Sequence, residues 1–205
     1  MNADRTMMDN PFATRWVKPG AIAFRFSYDQ TSDGLIDRLR SQSWWGEIVG
    51  PHGSGKSTLV ASLIETLKQV GRQPQIYRLH QGERRFPCAG GSTACWSPNT
   101  QVVVDGYEQL SRLSRVGLKR AARRAGCGLL VTSHCSVGLP ALAFMRPDLK
   151  TVVDLVGLLV GPKDSLISDS DIAASFNVRQ GNVREILFDL YDLYERHRRS
   201  LRKIK

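Results

Sequence analysis

Cysteine is scarce. There are only Cys88, Cys95, Cys127 and Cys135, and no two of them form a Cys-x-x-Cys pair. That excludes a disulfide-built scaffold. His80 precedes Cys88 and Cys95, but this spacing fits no structural zinc pattern. Long apolar runs are missing too. The longest, Thr151–Val160, is interrupted by Asp154 and is too short to span a bilayer. Residues Met1–Gly20 carry no apolar segment of the signal-peptide kind. These absences predict a soluble, cytoplasmic protein with no membrane partner. Acidic residues are outnumbered, with 19 Asp and Glu against 29 Lys and Arg, a net charge of +10. One anion-binding site needs only a few positive groups, so the excess points to a further acidic partner.

What is present is enough apolar residue, 41%, to bury a core in a chain of 205 residues. Ala21–Tyr28 alternates as a strand, and Ser32–Ser41 reads as a short helix. Trp45–Val49, Gln75–Leu79, Gln101–Asp105 and Gly128–Ser133 read as strands, the last two apolar throughout and hence fully buried. Thr58–Val70 and Glu108–Ala125 read as the intervening helices, and Gln81–Asn99 as a long loop. Ser136–Lys150 reads as loop with some local helix, Thr151–Val160 as a strand, and Ser168–Phe176 and Asn182–Leu201 as helices. Alternating strands and helices predict an α/β/α sandwich of three layers with a mainly parallel sheet and a short helical C-terminal extension. The expected division is a nucleotide-binding domain over 1–162 and a helical extension over 163–205.

The run Gly50-Pro51-His52-Gly53-Ser54-Gly55-Lys56-Ser57-Thr58 matches the Walker A pattern, between a strand and an amphipathic helix. Glycines let backbone N–H groups converge on phosphate oxygens. The helix starting near Lys56 adds its positive end to the same place. Lys56 would reach the β- and γ-phosphates, Ser57 would ligate Mg²⁺, and Thr58 would sit near the α-phosphate. His52 reads as a spectator within the loop. Val102-Val103-Val104-Asp105 delivers a carboxylate at a strand end, where Mg²⁺ needs a second protein ligand.

These ordered motifs resemble the P-loop ATPases over residues 45–160. One strand between the two motifs places the resemblance with the branch that carries a catalytic glutamate. No Asn-Lys-x-Asp segment is present, which favours ATP over a guanine nucleotide. Gly106 stands where many such ATPases place that glutamate. The run Asp105-Gly106-Tyr107-Glu108-Gln109-Leu110 instead resembles the Walker B segment of STAND and NACHT ATPases. That resemblance implies Glu108 as the general base, against a plain reading as the first-turn acid of a helix. Thr132 or Ser133 resembles the sensor 1 position of AAA+ proteins. His134 resembles the switch histidine of ABC-type ATPases, although no Leu-Ser-Gly-Gly-Gln signature occurs. Gly181-Asn182-Val183-Arg184-Glu185 resembles a sensor 2 segment, which implies that Arg184 reaches the nucleotide. The plain alternative makes Asn182 an N-cap with Glu185 as its partner.

Val183, Ile186, Leu187, Leu190, Leu193, Tyr194 and His197 form the inward stripe of the last helix. Its basic end, Arg196–Lys205, and a stripe of Arg112, Arg115, Lys119 and Arg123 are candidate nucleic-acid surfaces. The leading expectation is Mg-dependent ATP hydrolysis coupled to a conformational change or assembly, with a protein partner or a homo-oligomer. A nucleotide switch with negligible turnover and a small-molecule kinase are the alternatives.

Overall fold

The computed structural model describes residues 10–17, 24, 30–87, 96–161 and 166–203. The chain forms two compact units. One comprises Ala23–Pro51 and Lys56–Met145, the other Met1–Ile22, His52–Gly55 and Arg146–Lys205.

The larger unit is built on five parallel strands: β1 (Trp45–Val49), β2 (Gln73–Arg78), β3 (Thr100–Asp105), β4 (Gly128–Ser133) and β5 (Ala141–Phe144). Their order across the sheet is β2-β3-β4-β1-β5. β4 therefore lies between the strand that leads into the glycine-rich loop and the strand that ends in Asp105.

Side-chain alternation sends Val103 and Leu130 to one face, against α2 (Ser32–Ser41) and α3 (Lys56–Gln69) through Leu35, Ile36, Leu39, Leu59, Leu63 and Leu67. Val102, Val104, Leu129 and Val131 go to the other face, against Leu118 and Ala122 of α4 (Arg112–Arg124). Helices on both faces make the three layers, and they explain why Val102–Val104 of β3 and Leu129–Val131 of β4 are apolar on both sides of the pleat. Each large side chain so buried contributes roughly 1.5–3 kcal/mol.

The buried carboxylate of Glu47, in β1, fastens the stretch after β4. It accepts from Ser136 Oγ, from Val137 N (2.9 Å) and from Leu139 N (3.2 Å). A carboxylate is tolerated there because donors from a single loop satisfy it.

The smaller unit is helical. α1 (Thr14–Val17) is followed in sequence, after the sheet, by α5 (Leu149–Val160), α6 (Asp169–Arg179) and α7 (Val183–Lys203). Its core joins Phe12, Val152, Val156, Leu159, Ile172, Ile186, Leu187, Leu190 and Tyr194. Among the described residues no helix is long and apolar enough to cross a membrane.

Four expectations are corrected. Thr151–Val160 is helix, not strand: Asp148 caps it, accepting from Thr151 N (2.8 Å) and Oγ1 (2.6 Å), and Val152, Val156 and Leu159 are buried at helical spacing. Ser136–Lys150 is not only loop with local helix, since it contains the strand β5. Glu108–Ala125 is not one helix. A 3₁₀ turn over Tyr107–Gln109 comes first, and α4 starts only after Ser111, whose hydroxyl accepts from Ser114 N (3.2 Å). α6 runs past Phe176 to Arg179. The expected strand Ala21–Tyr28 lies outside the described residues except for Phe24, whose N–H donates to Ser62 Oγ (3.2 Å). Cys88 and Cys95 also lie outside them.

Candidate nucleotide site

The loop after β1 turns on glycines. Gly53 and Gly55 have φ of 68° and 91°, values that side-chain-bearing residues resist. Gly50 N donates to Ser133 O (3.1 Å), fixing the entry of the loop to the end of β4. Pro51 and His52 are exposed, Ser54 is buried, and Ser57 and Thr58 are half-buried in the first turn of α3. Lys56 folds back over its own loop, and its ammonium donates to Gly50 O and Pro51 O, both at 2.7 Å. Burial pushes the Lys56 pKa down, while the nearby Glu108 and Asp105 carboxylates oppose that. The lysine and the two acids therefore share one electrostatic neighbourhood.

Asp105 is held from β4: Thr132 Oγ1 donates to Asp105 Oδ1 (2.6 Å) and accepts from Gly106 N (3.0 Å). This uses Thr132 as a buttress for the carboxylate. Ser133 is buried and donates to Cys135 O (2.7 Å). His134 is the half-exposed member of the three, and its Nε2 lies 2.7 Å from Glu108 Oε1. The two residues converge although they lie on different elements.

Gly106 has a physical reason. Its φ is 89°, and a Cβ there would come within 2.7 Å of Leu79 O. No side chain fits directly after Asp105, and the 3₁₀ turn presents Glu108 instead. Arg115 braces this turn, donating to Leu110 O (2.9 Å) and Glu108 O (2.8 Å). Tyr107 is wholly buried with its hydroxyl unpaired among the described residues, and burial pushes its pKa up to about 12.

Several buried side-chain atoms have no hydrogen-bond partner among the described residues, Gln42 Oε1 and Gln101 Oε1 among them, and two of these atoms belong to the glycine-rich loop and the turn after Asp105: Ser54 Oγ and Glu108 Oε2. Unpaired buried polar atoms are rare in folded proteins and call for an explanation such as a missing ligand or water. The donor set of Ser57 and Asp105, one hydroxyl and one carboxylate, suits Mg²⁺, which takes few protein ligands and keeps waters.

In the smaller unit, the start of α7 is seated on the loop tip. Asn182 Oδ1 accepts from Glu185 N (3.3 Å), as an N-cap does. The same oxygen fills the space that a Cβ on Gly53 would need, and Arg184 Cβ lies 3.2 Å from that position. The Arg184 guanidinium rests over the Phe188 ring, 5.8 Å from its centroid. The Asn182–Gly53 contact was not legible in the sequence, which shows Asn182 only as a cap. Gly53→Ala is expected to cost at least about 1 kcal/mol in urea-unfolding stability, because both the positive φ and the Asn182 contact oppose a methyl group. Unchanged stability would mean that α7 does not seat there.

Of the basic stripe on α4, three members are engaged internally. Arg115 braces the turn, Lys119 donates to Val137 O (3.3 Å), and Arg123 lies 5.3 Å from the Trp45 ring centroid.

No protein-family model matches the chain, and no curated protein matches it in sequence. Solved structures share its fold. A chain in the structure of Drosophila ORC bound to DNA is 12% identical, with a TM-score of 0.64 over 98% of this chain. Cdc6p from Pyrobaculum aerophilum is 13% identical, with a TM-score of 0.57 over 82% of this chain. The chain spans only 64% and 61% of those two chains. The parallel sheet, the order of its strands and these neighbours together identify the fold as the three-layer α/β/α P-loop fold that the chain shares with those two structures.

Proposed function

We propose that the protein binds ATP with Mg²⁺ at the loop Gly50–Thr58 and hydrolyses it, coupling the reaction to a conformational change or to assembly. One observation carries the reading: in the turn after Asp105, Glu108 Oε2 is buried without a hydrogen-bond partner among the described residues, and the Glu108 and Asp105 carboxylates act on the Lys56 ammonium. On binding, the Lys56 ammonium exchanges the Gly50 and Pro51 carbonyls for phosphate oxygens. Ser57 and Asp105 would hold Mg²⁺, which would supply charge neutralisation to the phosphates. Glu108 Oε2 accepts the proton of the attacking water as its oxygen bonds to the γ-phosphorus and the bridging oxygen leaves with ADP. His134 holds the other carboxylate oxygen and so fixes the direction in which Glu108 presents its lone pairs. Arg184, at the head of α7 beside Gly53, is the arginine that this reading assigns to the nucleotide. Calorimetric titration with ATP and Mg²⁺, followed by phosphate release, tests the proposal. Binding without release in any condition would leave the switch reading in its place.

The basic end of α7 supports a second interaction, with a nucleic-acid backbone. Arg196 and Arg199 are exposed, whereas His197 contacts Leu166 O (2.7 Å) and Arg198 pairs with Glu195 (2.9 Å). Deleting 196–205 is expected to weaken duplex binding and flatten its salt dependence, measured by fluorescence anisotropy, with ATP affinity unchanged. No duplex binding by the full chain at low salt would overturn it.

A further inference from the structure

We infer that Arg115 is the positioning residue of Glu108, setting the place of the proposed base by clamping the turn that carries it. The inference rests on the reading of Glu108 as base.

A 3₁₀ turn of three residues is a weak carrier for a group that must be placed accurately, because its hydrogen bonds are few and poorly aligned. Here it also follows Gly106, whose backbone conformation is unusual, and it contains Tyr107, whose hydroxyl has no partner among the described residues. Arg115 answers this weakness from the adjoining helix. Its Nε donates to Leu110 O at 2.9 Å and a terminal nitrogen donates to Glu108 O at 2.8 Å. Its guanidinium also lies over the Tyr107 ring, 5.3 Å from the centroid. One side chain thus touches Tyr107, Glu108 and Leu110.

Helix electrostatics do not account for a cation at this position. Arg115 stands one turn into α4, near the positive end of the helix dipole, where a carboxylate would be favoured. Its place is explained by the carbonyls it serves. The geometry needs an arginine: a planar fork can bridge two carbonyls and lie on a ring, whereas a lysine ammonium is a single point. Glu108 is then held at both ends, its carbonyl by Arg115 from α4 and its carboxylate by His134 from the end of β4.

The test compares Arg115→Lys and Arg115→Met with the wild type for kcat, KM for ATP and thermal midpoint, each also in the Glu108→Gln background. A misplaced base loses rate without losing substrate, so kcat is expected to fall about tenfold or more in Arg115→Met with KM changed by less than about threefold. Arg115→Lys should recover part of that loss. In the Glu108→Gln background neither substitution should lower turnover further, since a base already removed cannot be misplaced. A purely structural role would lower kcat additively in both backgrounds, and that result overturns the inference. So does wild-type kcat in both variants beside a slow Glu108→Gln protein. Wild-type turnover in Glu108→Gln, or no turnover in the wild type, overturns the base reading and this inference with it.

Discussion

Lys56→Ala is expected to abolish measurable ATP binding. The ammonium is the cation built into the loop, and it stands ready inside it, donating to the Gly50 and Pro51 carbonyls. Each charge-assisted hydrogen bond it makes to phosphate is worth about 1.5–3 kcal/mol, so losing two raises Kd by over about 10²-fold. Calorimetric titration with ATP and Mg²⁺ reads this directly. The variant also loses two bonds within its own loop, so its thermal midpoint must be recorded beside the titration. A folded variant that binds ATP as the wild type does would remove the loop from the mechanism.

The second large effect is on turnover. Glu108→Gln keeps the size of the side chain and an oxygen that accepts from His134, but it cannot take up a proton. Hydrolysis is expected to slow by ~10²-fold or more while ATP affinity stays within a few-fold of the wild type. Phosphate release under saturating ATP separates the outcomes. Unchanged release would place the base elsewhere and make the Glu108–His134 pair a structural contact. Together the two substitutions divide binding from chemistry.

The sequence made the central sheet legible for a definite reason. β3 and β4 are buried on both faces, so their composition carries the signal without any periodicity. The glycine-rich loop was legible because phosphate binding dictates residue types at fixed spacing. Thr151–Val160 misled because its β-branched residues favour a strand, while the signals that decide for helix, the Asp148 cap and the spacing of Val152, Val156 and Leu159, are local and easily outweighed. β5 is four residues long, too short for alternation to show. Pairings across elements were out of reach. Nothing in the chain announces that His134 meets Glu108, that Asn182 occupies the space above Gly53, or that Thr132 serves Asp105. The basic stripe on α4 was visible as charge, but its use by the protein itself, through Arg115 and Lys119, is a matter of tertiary contact.

The strand order also sets a timetable for assembly. β1 pairs with β4 and β5, Trp45 opposite Leu129 and Val49 opposite Phe144, whereas among the described residues β2 pairs only with β3. On a growing chain the glycine-rich loop is made early, yet both strands that flank its own strand are made last. Long-range parallel pairing of this kind is slow, because the loop between partners must close before any contact rewards it. A chain ending at Arg124 carries the whole of Gly50–Thr58 and Asp105–Glu108 but neither neighbour of β1. It lacks Ser133 and Thr132 of β4, which anchor Gly50 N and hold Asp105, and His134 just after β4, which faces Glu108. The two motifs are complete long before the site they form exists.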